Sequence, residues 1–179
     1  MENKKFKVMA SLSGISWKGR KMTGTHNGTI AIKEGEFMLN EGRLTAGKFV
    51  VDTTAIKVLD ITDPATNAQM VGHLLSNDFF ASAEYPESNF EITTVKNNHI
   101  EGNLTIRGIR RIIGFDADIH VAGDTLTAVG EMIIDRTQFD MKFRSGSFFK
   151  NLGDTMIYND FKLNVHIIAK AVTRENTTN

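Results

Sequence analysis

The sequence predicts an all-β domain of eight or nine antiparallel strands, arranged as a sandwich or a closed barrel. Three observations carry that prediction. Apolar residues recur at every second position, as at Ile113, Phe115, Ala117, Ile119 and Val121, which is the period of a strand with one buried and one wet face. Turn signals rich in glycine and asparagine separate such runs at short intervals. With 179 residues, 41% of them hydrophobic, the chain has the size of one domain and enough apolar side chain for a core.

At the N-terminus Lys4, Lys5 and Lys7 precede Val8-Met9-Ala10, which gives way at once to Ser11-Leu12-Ser13-Gly14. That apolar stretch falls far short of an export-signal core, so the chain as it stands is expected in the cytoplasm, or in the periplasm if a leader was trimmed. No run approaches the roughly 18 apolar residues of a membrane helix, and a soluble molecule is expected. Ile30 and Ile32 mark an early strand, followed by turn signals at Lys33-Glu34-Gly35-Glu36 and Asn40-Glu41-Gly42. Asp63-Pro64 then reads as an N-cap followed by proline in the first helical turn, where its missing N–H costs nothing. Ala65, Ala68, Gln69, Met70, His73 and Leu74 extend a helix to about Leu75, and Ser76-Asn77-Asp78 offers a second cap before Phe79-Phe80. One or two short helices within about 64–80 therefore interrupt the sheet.

Beyond them the alternation resumes. Lys96-Asn97-Asn98-His99 turns into a strand carrying Leu104 and Ile106, and Arg107-Gly108 turns into the run around Phe115. Ala122-Gly123-Asp124 leads to Leu126, Ala128, Met132 and Ile134. The last strand shows Phe161, Leu163, Val165, Ile167 and Ala169 inward, with Ile168 breaking the rule. No repeat of solenoid period is present.

Charge is balanced at 21 basic and 21 acidic residues. This argues against a nucleic-acid partner, which needs a basic excess, and against docking on anionic membranes. The balance hides an asymmetry. Between Lys57 and Lys96 there is no lysine or arginine, and Asp60, Asp63, Asp78, Glu84, Glu87 and Glu91 give that segment a charge of −6. The compensating +6 lies elsewhere, part of it in Arg136, Lys142, Arg144 and Lys150. The plain expectation is two solvated patches. The sharper one lays the basic loop across the acidic helical segment at one end of the barrel.

Catalytic and metal motifs are absent. Zero cysteines exclude thiol chemistry and thiolate metal sites. His26, His73, His99, His120 and His166 show neither HExxH nor HxH spacing, so no metal and no cofactor is expected. His120 and His166 fall on polar strand faces, and His99 in a turn. His26 and His73 alone remain as acid–base candidates, without a recognisable local partner. There is no GxSxG, SxxK, P-loop or GxGxxG element. Phenylalanine, by contrast, is abundant: twelve residues against one tryptophan and two tyrosines. Phe79-Phe80 and Phe90 follow the helix, while Phe139, Phe143 and Phe148-Phe149 crowd the basic loop. They either fill a core or line the apolar entrance of a barrel, whose lumen at eight strands is just wide enough for one small ligand.

A set of motifs in order carries a resemblance. It comprises Ser16-Trp17-Lys18-Gly19, Gly24-Thr25-His26-Asn27-Gly28, Gly72-His73-Leu74, Asn77-Asp78-Phe79-Phe80, Tyr85-Pro86 with Phe90, Glu101 to Gly108, Asp135-Arg136 and Asp160. The sequence resembles the YceI-like family of lipid- or polyisoprenoid-binding proteins, over a domain of residues 1–170 followed by a polar tail, 171–179. The resemblance implies an eight-stranded antiparallel, lipocalin-like barrel with a capping helical segment and an elongated cavity for a lipid tail. It implies a ligand-facing set of Trp17, Phe49, Leu74, Phe79, Phe80 and Phe90 from the first half of the chain. From the second half it implies Ile106, Phe115, Ile119, Ile134, Phe139 and Phe161. His73, Arg136 and Arg144 are head-group candidates, Asp78 a cap for the turn after it, and Asp135-Arg136 a pair for the acidic segment. Gly28, Gly102 and Gly108 are expected at turns or bulges.

The expected function is thus a non-enzymatic carrier of an isoprenoid, quinone-like or fatty lipid. Two alternatives stand beside it: an enzyme on such a lipid using His26 or His73, and an interaction module using the acidic segment. The expected partner is a hydrophobic small molecule, and a homodimer is open because barrel strands pair through edges and faces.

Overall fold

The computed structural model describes residues 3–172. Nine strands among them run β1 (Asn3–Val8), β2 (Gly14–Lys21), β3 (Gly24–Asn40), β4 (Arg43–Val58), β5 (Glu87–Lys96), β6 (His99–Ile106), β7 (Ile109–Ala122), β8 (Thr125–Asp135) and β9 (Ile157–Ala171). One α-helix, α1 (Pro64–Leu75), joins β4 to β5. Every pairing between these strands is antiparallel, from β2 through β9 in chain order, and β2 pairs back with β9 to close an eight-stranded barrel.

The ninth strand is not an appendage. β1 pairs with β3 through Phe6↔Phe37 and with β9 through Lys7↔Lys170, the same two neighbours that flank β2. One wall strand is therefore broken by the 3₁₀ turn Ala10–Leu12. The break accounts for Ile168, the residue out of alternation. Its carbonyl accepts the Met9 amide at 2.8 Å and its own amide donates to Ser13 Oγ at 3.0 Å, so both backbone groups serve the broken strand.

Several local expectations change. Lys33–Glu36 is not a turn but the middle of β3, which bends there through a register shift between Ile32 and Glu34. A bulge asks for the same glycine-bearing, polar residues as a turn. The helix begins and ends where read: Asp63 accepts from the Thr66 amide at 2.9 Å. The hydroxyl and amide of Thr66 hold the Asp63 carboxyl below the usual carboxylate range. No second helix follows. Ser76 is the C-cap of α1, and residues 76–84 form hydrogen-bonded turns, with the Phe80 amide on the Leu74 carbonyl. β9 includes Ala171, and the expected tail beyond residue 172 lies outside the described residues.

The core is layered along the barrel axis. At the end away from α1, Phe37, Phe49, Phe90 and Phe115 fill the lumen. The Phe49–Phe90 and Phe90–Phe115 centroids lie 5.7 and 5.5 Å apart, leaving a gap of about 30 Å³. Gly102 makes room for this cluster, because a Cβ there would sit 2.5 Å from Phe90 Cζ. The middle layer is buried and largely aliphatic, with Ile15, Ile30, Leu104, Met132, Ile134 and Leu163. Above it the lumen opens under α1.

Candidate ligand-binding cleft under the helix

The open end of the barrel is a cleft of about 310 Å³. β2 contributes Trp17 and Gly19 and β4 contributes Ile56. The helix contributes Met70, His73 and Leu74; Phe79 and Phe80 follow from the turns after it. The loop between β8 and β9 adds Arg136, Met141 and Phe143, and β9 adds Phe161. The alternation of β2 and β9 points Trp17 and Phe161 inward, and the register pairs Trp17 with Leu163. Trp17 Nε1 donates to the Lys57 carbonyl at 3.2 Å, which fixes the indole plane against the wall.

Aromatic packing joins the two lips. Phe143 meets His73 at 4.7 Å and Phe79 at 5.9 Å between centroids, and His73 meets Phe79 at 5.1 Å, all edge to face. Arg107, at φ 55° in the β6–β7 turn, donates from Nη1 to the carbonyls of Asn77, Phe79 and Asp140. The basic loop does lie against the helical segment, but through rings and carbonyls. Among the described residues no ion pair links the acidic segment to Arg136, Lys142, Arg144 or Lys150; Lys142 pairs with Asp140 at 3.4 Å.

Polar groups collect in the walls and rim. Arg136 is 3% exposed and donates to the carbonyls of Tyr158 (3.0 Å), Met141 (2.6 Å) and Ile157 (3.0 Å). Burial pushes its guanidinium down from the ordinary arginine value, and Asp135 beside it opposes that. The carboxylate of Asp135 caps the following turn at Thr137 instead of reaching the acidic segment. His26 Nδ1 stands 2.8 Å from Asp60 Oδ2, and Asp60 Oδ1 accepts the Asn27 amide at 3.1 Å. Desolvation pushes the Asp60 carboxyl up, but the Asn27 amide and His26 together hold it below the usual range. His73 Nε2 is 3.0 Å from Asp78 Oδ2. Asp78 thus holds the helix histidine, while Ser76 Oγ receives the Asp78 amide. No cluster of three metal-ligating side chains occurs among the described residues.

The model of the YceI-like domain matches residues 6–169. The chain belongs to the YceI-like family. Protein YceI of Escherichia coli O157:H7 is 29% identical over 103 residues, covering 54% of this chain and 50% of that protein, so the match spans about half the curated relative. Among solved structures, BcnA of Burkholderia cenocepacia superposes with a TM-score of 0.65 at 19% identity, covering 91% of this chain and 99% of that one. A polyisoprenoid binding domain from Saccharophagus degradans gives 0.67 at 10% identity, covering 93% and 98%. A mutant of the Campylobacter jejuni YCEI protein gives 0.57 at 16%, covering 81% of each chain. These likenesses establish the shared barrel.

Within this YceI-like barrel the expected site residues separate into three groups. Trp17, Leu74, Phe79, Phe80, Phe161, His73, Arg136 and Arg144 line the cleft. Phe49, Phe90, Phe115 and Ile119 border the small gap at the far end. Ile106, Ile134 and Phe139 are at most 3% exposed and line neither. Phe148 and Phe149 are half exposed and do not line the cleft, and Lys142 Nζ sits over the Phe148 ring at 4.7 Å. Lining residues that the sequence did not single out include Ile56, Met141, Ile157 and Tyr158, none of which belongs to a readable motif. His26 and His73 have aspartate partners after all. Asp60 stands 34 positions from His26, beyond any local spacing rule.

Proposed function

We propose that this YceI-like protein is a non-enzymatic carrier that holds an isoprenoid, quinone-like or fatty lipid in the cleft under α1. The observation that carries the reading is the apolar wall of Trp17, Leu74, Phe79, Phe80, Phe143 and Phe161 around a volume of ligand size. Each CH₂ buried there contributes about 0.8 kcal/mol, so an apolar tail binds without help from a metal or a covalent bond. The polar end of the ligand meets Arg136, whose fork has five N–H groups and gives three to carbonyls. Arg144, exposed and 4.9 Å over Phe143, and His73 flank it. An oxygen-bearing head group, whether carbonyl, carboxylate or phosphate, suits such donors.

His26 supports a second reading, since it lines the cleft and its ring is oriented by Asp60. Acid–base work on a bound lipid would use that ring. One experiment separates the two. The protein, purified gently, is weighed by native mass spectrometry, stripped, reloaded with prenyl alcohols or quinones, and its ligand re-extracted. The carrier reading expects a one-to-one adduct and lipid recovered unchanged. A protein that takes up no lipid removes that reading, and a conversion abolished by His26→Ala replaces it with the enzymatic one.

A further inference from the structure

We infer that this barrel is selective for short tails: the cleft accommodates about a dozen carbons, and Met132, Ile134 and Leu163 form the floor that sets the limit. The inference rests on the apolar-ligand reading and adds a chain-length rule to it. An apolar cavity of about 150 Å³ takes up one benzene, or about 25 Å³ per carbon. On that scale 310 Å³ is filled by about twelve carbons.

The inner face of the barrel shows where the space stops. Along β9, Phe161 lines the cleft, Leu163 lines neither cavity, and Val165 and Ile167 already border the far gap. Along β8, Met132 and Ile134 are 1% and 0% exposed and line neither. The register pairs Ile134 with Phe161 and Met132 with Leu163, and Leu163 in turn with Trp17. The floor therefore starts at the level of Phe161 and is complete one inner-face step deeper, about 7 Å along the strand. Below it the lumen is closed again by the ring cluster of Phe49, Phe90 and Phe115, with only about 30 Å³ left over. A tail that ran the length of the barrel would have to displace both layers from a close-packed interior. A longer tail instead leaves its surplus in water, where added carbons contribute little.

Trp17 is the one tryptophan of the chain and lines the cleft, so its emission reports binding directly. The test titrates the full chain with geraniol, farnesol and geranylgeraniol delivered from cyclodextrin. A fully buried carbon is worth roughly fourfold in affinity. A lumen open along its length would therefore give steep gains from each alcohol to the next, whereas the floor leaves room for about two carbons beyond geraniol and predicts a gain of no more than about twentyfold from geraniol to geranylgeraniol. Met132→Ala removes three heavy atoms from the floor and should favour farnesol over geraniol by roughly a further tenfold. Gly19→Leu works in the opposite sense without opening a core void: a Cβ at Gly19 meets nothing within 4 Å, and the added side chain takes cleft volume. It should weaken farnesol most, and it carries the test if Met132→Ala fails to fold by thermal melt. Affinity that keeps climbing steeply to geranylgeraniol in the native protein overturns the inference. A ranking that neither variant moves does so too. Saturable binding of none of the three alcohols overturns instead the apolar-ligand reading beneath it.

Discussion

Replacing Arg136 by methionine lowers the melting temperature by roughly 6–15 °C and loosens the β8–β9 loop. The three carbonyls of Met141, Ile157 and Tyr158 face the guanidinium from both ends of that loop, and Arg136 is 3% exposed. Methionine matches much of the volume but donates nothing, so buried acceptors lose their partners at about 1–3 kcal/mol each. Partial rescue by water brings the sum to roughly 3–4 kcal/mol, and at this chain length each kcal/mol moves the midpoint by about 2–4 °C. The β8–β9 loop also supplies Phe143 to the aromatic bridge with His73 and Phe79. The variant should therefore be cut faster by protease between Gly146 and Lys150, and bind ligand more weakly. Arg144→Met is the control. Arg144 is exposed and makes no ion pair among the described residues, so its removal should leave the midpoint within about 2 °C. Equal effects of the two substitutions would contradict the role given to Arg136.

Gly28→Ala is the second large effect, and it comes from a single methyl group. Gly28 pairs with Trp17 on one side and Val58 on the other. A Cβ placed on it would stand 1.8 Å from the Lys57 carbonyl and 2.7 Å from the indole. The indole cannot retreat without giving up its hydrogen bond to that same carbonyl. The nearest atom is backbone in a paired strand, so either β3 or β4 must shift. Overpacking of this kind costs about 1–3 kcal/mol, and the strained hydrogen bond adds about 1 kcal/mol more. The midpoint should fall by roughly 5–15 °C, and Trp17 emission should move to longer wavelength as the ring is pushed from the wall. A variant that melts and fluoresces like the parent would show that Gly28 is not held by space.

Gly28 also shows what the sequence left illegible. The sequence places it at a turn or bulge, because glycine in a strand usually marks one. Here the reason is the close approach of the Lys57 carbonyl and the indole, which no local pattern displays, whereas Gly102 does face a bulge, between Ile92 and Thr94, and also clears the Glu91 carbonyl and the Phe90 ring. The Lys33–Glu36 segment reads as a turn but forms a bend within β3, since turn and bulge draw on the same residues. What was legible followed from short-range chemistry. Asp63-Pro64 sets the start of α1 and period two sets the inner face of β7, β8 and β9. The family pattern then resolved sandwich against barrel.

The candidate site divides along the same line. Alternation tells which side of a strand a residue faces but not how deep it sits along the barrel axis. The resemblance puts Trp17, Phe161, Phe49 and Phe90 alike in the ligand-facing set, and only the structure shows two at the cleft and two in the opposite plug. Pairings over long separations, such as His26 with Asp60 across the β3–β4 ladder or Arg107 with three loop carbonyls, depend on strand register and loop packing. The charge asymmetry of the chain is real in sequence, yet the two segments meet through Phe79, His73 and Phe143. Charge there sets the solvated surface, and aromatic packing holds the lips together.

The most direct test of a ligand-bearing cleft is photolabelling of the intact protein with a geraniol analogue carrying a diazirine on its tail. The account predicts one saturable adduct per chain, mapped to Trp17, Met132, Leu163 or the segment from Leu74 to Phe80, and suppressed by excess geraniol. The barrel also carries exposed apolar side chains on its outside, Ile112 at 73%, Ile133 at 61% and Phe148 at 51% exposure. Labelling confined to those outer residues, or not suppressed by excess geraniol, would contradict it.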